Sequence, residues 1–124
     1  MNSSPDIIKD ASDALKPISD RGTVVMQGWY NKDIKERHVT LWDLGESEEN
    51  FSDDDAEGVR LAVQVTTFST EDEVELTREI KSLMKKNDFD YEGRNGDDSK
   101  PEDGIIMKAQ RFSKFYGTEE TENE

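Results

Sequence analysis

The chain has 124 residues, of which 31% are hydrophobic and 37% charged, and its 30 acidic side chains outnumber 16 basic ones for a formal net charge of −14. That length is one domain. Burial yields about 25 cal/mol per Å2 against an ordering cost of roughly 1–2 kcal/mol per residue, so a chain this polar cannot order all of itself. We expect a single α+β domain over residues 1–116 and a disordered acidic tail over 117–124. The negative field repels phosphate backbones and anionic membrane surfaces, which argues against nucleic-acid and membrane partners. With no cysteine, disulfides, zinc thiolates and cysteine nucleophiles are excluded. No stretch approaches the ~20 apolar residues of a membrane span. Met1-Asn2-Ser3-Ser4-Pro5-Asp6 lacks the basic and apolar regions of a secretion signal, so the expectation is a protein made and used inside the cell.

Ser4-Pro5-Asp6 reads as a helix start, with Ser4 as cap and Pro5 in the first turn. Ile7, Ile8, Ala11, Ala14, Leu15 and Ile18 then recur at helical spacing until Pro17 stops or kinks the helix. Residues 23–29 read as a strand, Tyr30 to Arg37 as a polar hairpin loop, and 38–44 as a second strand rich in β-branched and aromatic residues. Residues 45–57 read as a long acidic connection in which Phe51 is the only large apolar side chain. The clearest strand is 58–68. Its Val59, Leu61, Val63, Val65 and Thr67 face one way, and Arg60, Ala62, Gln64, Thr66 and Phe68 the other. Thr70-Glu71-Asp72-Glu73 matches a capping box for a second helix. The inner stripe of that helix is Val74, Thr77, Ile80, Leu83 and Met84, with Lys81, Lys85 and Lys86 near its negative end and Asn87 as a left-handed cap. A short strand at 89–92, a polar loop at 93–104 and a last strand at 105–116 complete the order α-β-β-β-α-β-β. The expected product is a mostly antiparallel sheet of about five strands with two helices packed on it.

Few residues carry chemistry in this pattern. His38 is the only histidine, and its strand position predicts a solvated or edge-facing ring rather than a catalytic base. Asp88-Phe89-Asp90-Tyr91-Glu92-Gly93 opens like a calcium loop, but the twelfth position is Ser99 and a strand follows, so a strand bounded by an acidic turn is the better reading. Asp53-Asp54-Asp55 reads as a solvated charge run. No Gly-rich phosphate loop is present. The sequence therefore assigns no catalytic, cofactor-binding or metal-ligating residue, and no cofactor or small-molecule substrate is expected. Trp29, Tyr30 and Trp42 lie at strand ends near glycines. Such aromatics either close a core or anchor an interface.

One resemblance emerges from the order of segments. His38-Val39-Thr40-Leu41-Trp42 is followed by the acidic loop ending Ser52-Asp53-Asp54-Asp55-Ala56, then by Val63-Gln64-Val65-Thr66-Thr67-Phe68-Ser69. The helix Glu75-Leu76-Thr77-Arg78-Glu79-Ile80-Lys81-Ser82-Leu83-Met84 and the strand Met107-Lys108-Ala109-Gln110-Arg111-Phe112 come after them. This arrangement, over roughly residues 5 to 116, resembles the small tail-completion or tail-terminator proteins of prophages from Gram-positive bacteria. The resemblance implies a non-catalytic structural subunit that closes into a ring, often six-fold, at the head-proximal end of a siphophage tail tube. It implies other tail and head-tail connector proteins as partners, and a passage from the host cytoplasm into the virion tail. The acidic C-terminal extension, Trp29 and Trp42 depart from the family pattern. A head-to-tail ring joins two different patches, and the acidic stretch 46–57 with Lys81, Lys85 and Lys86 offers complementary charge. The alternative is an acidic inhibitor or polyanion mimic that binds a basic protein surface.

Overall fold

The computed structural model describes residues 6–34, 36–50, 57–94 and 104–117. It is a mixed α+β fold in which the chain forms, in order, α1 (Ile7–Ala14), α2 (Lys16–Asp20), β1 (Val24–Gln27), β2 (His38–Asn50), β3 (Glu57–Ser69), α3 (Val74–Lys86), β4 (Asp90–Arg94) and β5 (Ile106–Gly117). The five strands form one sheet in the spatial order β1-β2-β3-β5-β4.

The N-terminal helical segment is two helices rather than one. Proline cannot donate to the helix and clashes with the carbonyl four residues back. Leu15 therefore leaves helical geometry, and Pro17 sits in the first turn of α2, where its missing N–H costs nothing. Leu15 is itself fully buried, so the break is pinned to the core. The cap is Asp6, whose carboxylate accepts the Lys9 amide at 3.1 Å, two residues after the expected cap at Ser4. Ser4 and Pro5 lie outside the described residues.

The expected hairpin between the first two strands is absent. β1 and β2 run parallel, Val24 opposite His38 and Gln27 opposite Leu41, so residues 28–37 form a crossover rather than a tight turn. β2–β3, β3–β5 and β4–β5 are antiparallel. The acidic stretch after Gly45 is not a connection either: β2 continues to Asn50 against β3, with a bulge between Asp43 and Gly45. Gly45 takes φ +101 there, and its amide donates to the Asp43 carboxylate at 2.8 Å. Only 51–56 of the expected loop, with Phe51 and Asp53-Asp54-Asp55, falls outside the described residues.

All three helices pack on one face of the sheet. Val39, Leu41, Val63, Val65 and Phe112 meet Ile7, Leu15, Ile18, Ile80 and Met84 in the main core. Within α3 the buried positions are Leu76, Thr77, Ile80 and Met84, whereas Val74, expected inside, is exposed. The expected capping box does not close. Glu73 is the cap residue without a side-chain cap bond, and Ser69 Oγ holds the turn by donating to Glu73 at 2.7 Å while accepting the Glu71 amide at 3.1 Å. At the other end Asp88, not Asn87, takes the left-handed conformation, and the Asn87 amide side chain donates to the Leu83 carbonyl at 2.8 Å. A paired Arg21–Glu79 contact, with one arm at 2.8 Å, ties the end of α2 to α3. The Tyr116 hydroxyl donates to Asp10 at 2.6 Å and ties β5 to α1. β5 runs through Gly117, one residue into the expected tail; 118–124 lie outside the described residues.

Candidate functional site

The opposite face of the sheet carries no helix among the described residues. The crossover 28–37 covers one end of it, and Tyr30 packs there on a small second core of Phe68, Ile105, Met107 and Ala109. His38 and Phe68 are cross-strand partners, so their rings lie side by side on this face. The His38 ring is stacked on both Phe68 (centroids 5.2 Å) and Tyr30 (5.9 Å). It is 1% exposed, which corrects the expected solvated or edge position: β2 is an internal strand and the crossover roofs the ring. Its Nδ1 lies 3.1 Å from the Glu36 carbonyl, while Nε2 has no hydrogen-bond partner. Its two ring contacts make it part of the packing on this face.

Trp29 leaves β1 at the start of the crossover and packs edge-on against Phe68 (5.6 Å) and against Trp42 (6.5 Å). Both indoles remain open to solvent, Trp29 at 44% and Trp42 at 47%. Of the two readings for these aromatics, the structure gives a surface pair, with Tyr30 as the member that closes a core. Leu44, displaced by the bulge two residues after Trp42, is also exposed. The bulge could not be read from the sequence, so Leu44 had no signal.

From Leu44 a trough of about 420 Å3 runs across small floor residues, Gly45, Ala62 and Ser113, toward Arg60 and Arg111. Three of its polar side chains, Arg60, Glu92 and Ser113, are paired. Arg60 donates to Asp90 (2.9 Å) and to Ser113 Oγ (3.1 Å), and Ser113 Oγ donates to Glu92 (2.6 Å). The carboxylates of the calcium-like stretch are thus spread along β4 into an arginine and a hydroxyl. Among the described residues no group of three or more histidine or acidic side chains converges as a metal site would require.

A second cleft, about 260 Å3, lies on the helix-bearing face between α3 and the β4–β5 edge. Arg78, Lys81, Arg94 and Lys108 line it together with Asp72. Lys81 sits over the Tyr91 ring at 4.1 Å, and Lys108 pairs with Asp72 at 3.5 Å. Of the lysines picked out in sequence, only Lys81 belongs to this cleft; Lys85 and Lys86 are exposed farther along α3. Arg78, three residues before Lys81 on the same helix face, was the available signal. No helix is long and apolar enough to cross a membrane, among the described residues. No protein-family model matches the chain, and no curated protein matches it.

Proposed function

We propose that this chain is a non-catalytic assembly subunit of the tail-completion kind, acting by docking its helix-free sheet face onto tail-tube and connector proteins and closing into a ring there. The observation that carries the reading is the Trp29–Trp42 pair, two indoles packed edge to face and left close to half exposed. Large aromatics held against each other and, through Trp29, against the core ring of Phe68 are preordered, so little side-chain entropy is lost when a partner covers them. Such residues supply most of the binding energy of protein interfaces. The order of segments that resembles tail-completion proteins gives the partner class, with the host cytoplasm and then the virion tail as the places of action.

The test is co-expression with the tail-tube and connector proteins of a siphophage, followed by electron microscopy. Tubes of uniform length with a ring at one end are expected, and Trp29→Ala with Trp42→Ala should leave tubes uncapped. Tubes whose length and ends are the same with and without this chain would remove the reading. Retention of the complex at high salt separates apolar docking from charge mimicry, which ionic strength screens.

A further inference from the structure

We propose that the cleft between α3 and the β4–β5 edge binds the acidic end of the β2–β3 hairpin of a second copy of this chain. In a chain of net charge −14, four cations line this cleft against a single acid among the described residues. Arg78 is exposed and has no ion-pair partner among the described residues. Lys81 is held at the wall by Tyr91, and Lys108 is shared with Asp72. Gln110, 3% exposed, lines the same cleft. Its Nε2 donates to the Thr77 carbonyl at 3.2 Å, and its Oε1 has no hydrogen-bond partner. Cations beside an unfilled buried acceptor call for a ligand that offers both carboxylates and an N–H. An acidic peptide has both, whereas nucleic acid is repelled by the overall field.

The chain carries such a peptide in Glu46-Ser47-Glu48-Glu49 and Asp53-Asp54-Asp55, at the end where β2 passes into β3. Its described strand ends, Glu46 to Asn50 and Gly58, lie at the opposite end of the sheet from the chain's own cleft. Gln110 lines the cleft, while Gly117, seven residues along β5, pairs with Gly58 beside the hairpin end. At about 3.3 Å per residue that is roughly 23 Å of extended strand. The contact therefore joins two different patches on two molecules, the head-to-tail geometry that closes rings. This inference rests on the assembly reading above and names the contact between copies.

The experiment is fluorescence anisotropy of a labelled peptide of residues 45–58 titrated with the full-length chain at low salt. Saturable binding with one peptide per chain is expected, and because the chain as a whole repels the peptide, binding reports a local site. Arg78→Glu with Lys81→Glu should weaken it by about tenfold or more. Lys9→Glu with Lys16→Glu makes the same change in net charge on α1 and α2 and should leave affinity unaltered beyond about twofold. The milder pair Arg78→Gln with Lys81→Gln repeats the test if the glutamates disturb folding. Absence of binding, equal loss in the α1–α2 control, or displacement of the peptide by equimolar inorganic phosphate overturns the assignment. Tube capping is scored separately: capped tubes without peptide binding remove the cleft contact alone, whereas uncapped tubes with peptide binding remove the tail reading.

Discussion

Trp42 is on an internal strand, yet 47% of it meets solvent, because its neighbours across the sheet on that face are Gln64 and then Arg111 rather than a packed helix. Truncating an exposed side chain removes little packing. Trp42→Ala is expected to change unfolding free energy by less than about 1 kcal/mol in urea, while abolishing capture by tail tubes in co-sedimentation. Tyr116 is the reverse case. Burial, and then its hydrogen bond to Asp10, push its phenol well above the ordinary value of 10.0. The folded state therefore holds this proton more tightly than the unfolded state. Its contribution is complete below pH about 10 and declines as pH rises above that toward the folded value. The stability advantage of the wild type over Tyr116→Phe should accordingly vanish in alkaline melts, with tyrosinate absorbance appearing together with unfolding. Neither role was legible in sequence. A tryptophan or tyrosine in an alternating strand has the same pattern whether its face is covered or open, and only the placement of the helices decides.

The strand β3 was legible nearly to the residue because alternation of Val59, Leu61, Val63 and Val65 survives in the fold as the face beneath the helices. The acidic half of β2 was not legible. Glu46 to Asn50 have poor strand propensity, and they are extended because β3 from Glu57 to Leu61 supplies their cross-strand partners. Strand direction was hidden for a related reason: hydrophobic period is blind to whether a neighbour runs parallel, so the crossover 28–37 looked like a hairpin loop. At the far end of the hairpin, Gly58 faces Gly117 so closely that a β-carbon would stand 2.3 Å from the Tyr116 carbonyl oxygen and 2.7 Å from the Phe115 ring. Gly58→Ala must separate β3 from β5 there. A loss of about 1–3 kcal/mol is expected in urea unfolding, with amide exchange raised at 58–60 and 115–117 and unchanged in α3.

For the whole molecule, the order of expected helices and strands pointed to the class, a mixed sheet-and-helix domain, and left the arrangement open. Three helices on one face and a crossover on the other make the two surfaces chemically different, and it is this asymmetry that separates an aromatic face from a basic cleft. The charge is distributed less evenly than its total suggests, since α3 carries four basic side chains against two acids in a chain whose acids outnumber its bases. Self-repulsion at net charge −14 opposes compaction. Raising NaCl from about 0.05 to about 0.5 M shortens the screening length several-fold and should raise the thermal midpoint; a midpoint that falls would mean that attractive pairs such as Arg21–Glu79 dominate.

The lodging of His38 under the crossover has a practical consequence. It is the sole imidazole in the chain, and its Nδ1 sits beside a carbonyl that can only accept, so the proton resides on Nδ1 while the roof is seated. Nitrogen-15 labelling of histidine alone would then yield one uncrowded signature, whose tautomer registers whether residues 28–37 stay closed when a neighbouring protein engages the adjacent indoles.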